Sequence, residues 1–176
     1  MHISSLPSLY GIGTMGKSAR EFVDFLKEAK QKYWQILPVG QTSYGDSPYQ
    51  SFSSFAGNPY FIDLDILKEQ NLLEAYEYEA TDWGKEPNKT DYGLLYERRY
   101  PVLRLAVKRF LAGRQNGFWE FCEKHAGWLE DYALFMTIKG KNGGVSWLEW
   151  SEQERKREAA TMEAMKTEYS EEILFW

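Results

Sequence analysis

Apolar positions first settle into a regular period at Ser18. Ala19, Phe22, Val23, Leu26 and Ala29 share one helical face, with Arg20, Glu21, Lys27 and Lys30 outside it, which predicts an amphipathic surface helix. The run Tyr33-Trp34-Gln35-Ile36-Leu37-Pro38-Val39 is short, apolar and closed by Pro38 and Gly40, the pattern of a strand buried on both faces. Upstream, His2 to Pro7 reads as an extended stub that reaches a Ser5-Leu6-Pro7-Ser8 turn sooner than an ordinary strand of about five or six residues would. The Gly11-Ile12-Gly13 loop follows. Strand, helix, strand in this order predicts an α/β fold in which a right-handed crossover joins parallel strands and ligand loops gather at their carboxyl ends.

After Leu64 the strand signals stop. Helical spacing predicts a short helix over 66–75 and one or two helices over 92–111, with Pro101 either breaking the segment or opening a fresh helix, where its missing N–H is harmless. A further helix is expected over 117–138, carrying Trp128, Tyr132, Phe135 and Met136 as a core stripe. Gly140 to Gly144 marks a loop, and Ser151 to Phe175 reads as a charged, solvated helix. Two regions are therefore expected: 1–64, with the α/β pattern, and 65–176, mainly helical. Ile173-Leu174-Phe175-Trp176 closes the chain without a helix stop signal, which predicts that the natural helix continues further.

The segment from Tyr44 to Tyr60 follows neither a helical nor a strand period. Aromatic rings at 44, 49, 52, 55 and 60 alternate with serines, Gln50 and Asn58, punctuated by Gly45, Pro48, Gly57 and Pro59. Such a surface suits a sugar, whose apolar ring face stacks on an aromatic ring and whose hydroxyl rim needs both donors and acceptors. The plainer alternative is an aromatic plug beneath a long connection. The density of polar groups argues against it, because filler is made more cheaply from Leu and Val than from hydroxyls that must each find a partner.

Composition narrows the classes. The chain has 176 residues, 43% of them hydrophobic, enough for a real core. A net charge of -5 without a basic cluster argues against nucleic acid and favours a neutral ligand. Cys122, the only cysteine, excludes an internal disulfide and reads as a small buried hydrophobe. No apolar run approaches the roughly 18 residues of a membrane helix, and no basic n-region precedes an apolar stretch, so a soluble, cytoplasmic protein is expected.

His2 and His125 lie far apart, and no His or Cys has zinc-ligand spacing, so neither a metal nor a cofactor is expected. A triad built on His125 is disfavoured by its position near a helix boundary. Gly11, Gly13 and Gly16 form a G-x-G-x-x-G match without the full upstream strand that a dinucleotide loop requires. Glycosidic chemistry uses paired carboxylates, yet Asp46 is the only acid within the aromatic segment. Asp63 and Asp65, alternating with Ile62, Leu64 and Ile66, read as the outer side of a short extended piece.

Several segments together resemble the N-terminal part of the amylomaltases, the 4-alpha-glucanotransferases of glycoside hydrolase family 77. They are His2 to Ser8 with Tyr10 to Gly13, Phe22 to Leu26, Tyr33 to Pro38, Tyr44 to Tyr60 and Trp128 to Phe135. The resemblance implies a (β/α)8 TIM barrel, here its first two strands and first helix followed by a helical insertion, and a retaining transfer of α-1,4-glucan segments between maltodextrins. It further implies that the catalytic carboxylates come from later barrel strands, so that this piece, truncated at both ends, holds no catalytic residue and is inactive alone. Carried over by position, Ser47 and Tyr49 are donor-site contacts, Asp46 orders their turn, and Tyr44 with Tyr92 belongs to a second glucan groove. A non-catalytic carbohydrate-binding or helical interaction module is the alternative that remains.

Overall fold

The computed structural model describes every residue except Tyr44, Pro87, Arg114 and Asn116. It falls into two compact units, Met1–Arg114 and Gln115–Trp176. In the first unit a 3-10 turn, Ile3–Ser5, is followed by α1 (Lys17–Glu28), a second 3-10 turn at Pro59–Phe61, α2 (Leu64–Glu69), a third 3-10 turn at Ala75–Glu77 and α3 (Tyr92–Ala112). In the second unit α4 (Phe118–Lys141) is followed by a 3-10 turn at Trp147–Glu149 and by α5 (Glu152–Arg155), α6 (Ala159–Glu168) and α7 (Ser170–Phe175).

Local chemistry sets the helix starts. Asp63 accepts from the Ile66 N–H at 3.0 Å to cap α2, and Asp91 accepts from the Leu94 N–H at 3.0 Å to cap α3. Neither Asp63 nor Asp65 lies on an extended segment as expected: Asp63 is an N-cap, and Asp65, inside α2, accepts from the hydroxyls of Tyr10 and Tyr78 at 2.8 and 2.7 Å. α3 runs unbroken through Pro101. The lost N–H strands only the carbonyl of Glu97, an exposed residue that water can reach.

Both strand expectations fail among the described residues. Ile3 and Leu6 are buried within and beside a 3-10 turn rather than an extended stub. Tyr33 to Val39 is irregular, with Tyr33 89% and Leu37 39% exposed. The only β pairing described is two isolated antiparallel bridges, Gly40 with Gly57 and Thr42 with Ser51. The physical reason is that a strand takes its hydrogen bonds from a neighbour, so an apolar run specifies burial but supplies no ladder by itself.

The core of the first unit is organised around a buried charge. Leu95, Arg99, Val102, Leu103 and Ala106 form the inner face of α3, and Arg99 is fully enclosed. Its guanidinium donates to the carbonyls of Tyr10 at 3.3 Å, Tyr60 at 3.2 Å and Ile62 at 2.5 Å, and lies 5.7 Å from the centre of the Trp83 ring. One side chain thus ties three loop carbonyls to one helix. Desolvation pulls its pKa down to about 10, still far above neutrality, so it stays charged.

In the second unit Leu134, Ile138, Trp150, Met162 and Met165 form the core, with Phe135, Tyr169 and Ile173 packed against it. The single helix expected over 151–175 is three short ones, interrupted where Arg157 adopts a φ of 54° and again at Tyr169. Glu154 is buried; it completes a capping box with Ser151 and accepts from Lys141 Nζ at 2.9 Å. Cys122 is partly exposed, not enclosed as expected, because it sits on a stretch of α4 whose neighbours are largely solvent-facing.

Candidate functional site

The two ends of the segment 40–57 are held together at its base. The Asn58 N–H donates to the Val39 carbonyl at 2.8 Å, and the two isolated bridges clamp the base above that bond. Gly40 is required there, since a Cβ would come within 2.4 Å of Ser51 Oγ. Inside the loop the serines fold the backbone on itself: Ser53 Oγ accepts from the N–H groups of Phe55 and Ala56, each at 3.1 Å. Asn58 then accepts from the Tyr60 N–H at 3.0 Å and opens the 3-10 turn that carries the chain back to α2.

A cluster of tyrosines meets the base of the loop where Gln41 reaches Tyr100. The Tyr60 ring sits 6.4 Å from Tyr92 and 5.5 Å from Tyr100, and Tyr96 meets Tyr100 edge-on at 6.0 Å. Tyr92, Tyr96 and Tyr100 follow one another at four-residue intervals along α3, so they share one helical face. Gln41, buried at the base of the loop, donates to the Tyr100 hydroxyl at 2.9 Å. Burial pushes the phenols of Tyr60 and Tyr92 upward and that of Tyr100 up to about 12, and nearby Asp46 raises Tyr60 and Tyr92 further. Burial also raises the Asp46 carboxyl itself.

The glycines ahead of α1 are steric necessities rather than a phosphate cradle. A Cβ on Gly13 would meet the Ile3 carbonyl oxygen at 2.0 Å, one on Gly16 the Asp63 carboxylate at 1.8 Å, and one on Gly11, at a φ of 79°, the Trp83 carbonyl oxygen at 2.7 Å. His125 sits between Phe121 and Trp128 on α4, tilted against the first at 4.4 Å and edge-on to the second at 5.9 Å, and so packs as one ring of an aromatic row.

The residues picked from sequence separate into two groups. The Asp46 charge acts on the phenols of Tyr60 and Tyr92, with no direct contact between them. Its backbone adopts a φ of 54°, and its N–H donates to the Ser43 carbonyl at 3.0 Å to close a turn. Ser47 is half-buried and its Oγ accepts from the Tyr49 N–H at 3.3 Å, while Tyr49 is 72% exposed. Tyr44 lies outside the described residues. Sequence reading missed Gln41, Tyr96 and Tyr100, although the four-residue spacing of the tyrosines on α3 was there to be read.

The profile of the 4-alpha-glucanotransferase family matches residues 1–176. The chain belongs to that family. It is 52% identical over 176 residues to a 4-alpha-glucanotransferase of Clostridium butyricum, covering 100% of this chain and 36% of that one. A 4-alpha-glucanotransferase of Thermus thermophilus is 46% identical over 179 residues, covering 99% of this chain and 35% of the relative. Among solved structures, an amylomaltase from Streptococcus agalactiae in complex with acarbose superposes with a TM-score of 0.94 at 42% identity, over 99% of this chain and 36% of that one. The chain therefore spans about a third of the length of these 4-alpha-glucanotransferase relatives.

Proposed function

We propose that this chain is the glucan-positioning part of a cytoplasmic 4-alpha-glucanotransferase, whose first region takes its place at the opening of a (β/α)8 barrel, its strand segments pairing only within a family-length polypeptide, followed by a helical subdomain. In this reading 1–64 opens the barrel and 65–176 is the insertion. The observation that carries it is the loop over 40–57, which exposes Tyr49 with Ser47 hydrogen-bonded beside it and whose base meets the tyrosine cluster through Gln41, in a chain of this family. The Streptococcus agalactiae amylomaltase solved with acarbose, an oligosaccharide analogue, supports a saccharide as the ligand.

Each described residue then has a role that its surroundings allow, and Tyr44 takes its role from the family resemblance alone. Tyr49, exposed, stacks on the apolar face of a glucose ring, while Ser47 exchanges hydrogen bonds with its hydroxyl rim. Asp46 fixes the turn that holds both, and Tyr92 with Tyr44 meets a second stretch of glucan. Such contacts accelerate transfer by holding donor and acceptor aligned. The bond-breaking carboxylate pair of a retaining mechanism belongs to other parts of a family-length polypeptide, and no metal or cofactor is needed.

The test has two arms. Tyr49→Ala in a family-length polypeptide is expected to weaken binding of maltooligosaccharide and slow transfer, and unchanged transfer kinetics would overturn the assignment. The 176-residue chain incubated with maltotriose is expected to release no glucose; sustained disproportionation by the purified chain would defeat the division of labour.

A further inference from the structure

One phenol oxygen joins three parts of the first unit. The Tyr100 hydroxyl accepts from Gln41 Nε2 at 2.9 Å. It is also hydrogen-bonded to the Tyr60 hydroxyl, a contact that raises the Tyr60 phenol and lowers that of Tyr100, as follows when Tyr60 donates and Tyr100 accepts. Gln41 stands where the loop over 40–57 begins, Tyr60 on the 3-10 turn just after it ends, and Tyr100 inside α3. The entry and the exit of the loop are thus tied to one atom of one helix.

The loop has little else to fix it. Among the described residues of 40–57, only Gln41 and Ala56 are buried, and of these only Gln41 carries a polar side chain. The two bridges that close the base are isolated, so no ladder of neighbouring pairs reinforces them. Further out Tyr49 and Phe55 are mostly exposed. Order in such a segment is set at its base, and Gln41 and Tyr60, both buried, meet the Tyr100 oxygen where water is scarce and a lost hydrogen bond is felt.

We propose that Gln41, Tyr60 and Tyr100 are positioning residues of the glucan loop: their shared hydrogen bonds hold the base of 40–57 in the arrangement that presents Ser47 and Tyr49 to sugar. The proposal rests on the glucan reading of that loop. None of the three needs to touch substrate. A loop that is correctly ordered only part of the time lowers the apparent affinity by its ordered fraction and leaves the turnover of bound complex unchanged. A merely structural defect acts the other way, removing active molecules and so lowering kcat at constant KM.

The experiment combines steady-state transfer on maltotriose with amide hydrogen exchange, in a family-length polypeptide carrying this chain. Tyr100→Phe deletes one oxygen and keeps the ring; it should raise KM at least about fivefold with kcat within about twofold, and speed exchange across 42–56 at least about fivefold. Gln41→Met should shift KM and exchange in the same direction, and it gives the same reading from the loop side should Tyr100→Phe prevent folding. The double variant should match Tyr100→Phe within about twofold, because both substitutions remove one shared bond. Tyr76→Phe, an exposed phenol on the third 3-10 turn, should change neither quantity.

Unchanged exchange across 42–56 in Tyr100→Phe and Gln41→Met overturns the inference. So does a fall in kcat at constant KM, or full additivity of the two substitutions. Tyr49→Ala run in parallel separates this failure from that of the glucan reading. If Tyr49→Ala raises KM while the Gln41 and Tyr100 variants do not, the positioning role is wrong; if exchange quickens in those variants while none of the three raises KM, the glucan reading falls and the three residues stand as the anchor of the loop.

Discussion

Replacing Arg99 by Met removes a charged fork that serves three backbone carbonyls at once, those of Tyr10, Tyr60 and Ile62. Each carbonyl left buried without a donor costs about 1–3 kcal/mol. Against that loss, the variant no longer desolvates a guanidinium, a penalty of several kcal/mol in real proteins. The net expectation is a destabilisation of about 3 kcal/mol, read as a fall of roughly 10 °C or more in the melting temperature of a unit of this size. Arg99→Lys should recover only part of it, because an ammonium is a point charge and cannot span carbonyls on two separate loops. The assay is calorimetry combined with amide exchange. Opening should be concentrated at Gly13 and Met15, whose N–H groups bond to the Ser4 and Phe61 carbonyls in the loops that Arg99 ties down. Stability of Arg99→Met within about 0.5 kcal/mol of the parent, the range of an ordinary surface change, would refute the reasoning.

Four further outcomes follow from the same structure. Gly13→Ala should destabilise by about 3 kcal/mol or prevent folding, because its Cβ would meet backbone atoms of Ile3 and Leu6, whereas Gly57→Ala, with no atom within 4 Å, should be near neutral in chemical denaturation. Burial, reinforced by the Asp65 hydrogen bond, raises the Tyr10 phenol from 10.0 to about 12; the folded state keeps a proton that the unfolded chain releases, so stability should fall as pH rises from 10 to 12, and ultraviolet titration should find this phenol late. On the acid side, the two-pronged bond from Arg109, with help from the Glu74 N–H, holds Glu77 below 4.5; its contribution is present above that value and lost as pH falls through the folded pKa, and Glu77→Gln should flatten that limb of the stability profile. Tyr49→Ala should leave the melting temperature within a degree or two while reducing sugar binding, because the ring is mostly in solvent.

Helices were readable where period and caps agreed. The spacing around Phe22 and Leu26 located α1, and the stripe from Trp128 to Met136 located α4, because an amphipathic period survives whatever the rest of the chain does. The strands were not readable in the same sense. Tyr33 to Val39 has the composition of a buried strand, but pairing is a property of two segments, and composition records only one of them. At the candidate site the loop announced itself through its rings and hydroxyls. Its tyrosine cluster did not, since Gln41 and Tyr100 lie 59 positions apart and meet only once α3 is packed. Arg99 was invisible for a related reason: an arginine in a helical stripe reads as surface until the carbonyls that surround it are known.

The proposal that the loop over 40–57 grips glucose is tested most directly by a crystal of a family-length polypeptide carrying this segment, soaked with maltooligosaccharide. The account predicts a glucose ring stacked on Tyr49, with a sugar hydroxyl about 3 Å from Ser47 Oγ. Sugar bound elsewhere, with Tyr49 and Ser47 sealed away from any cleft the glucan can enter, would contradict it.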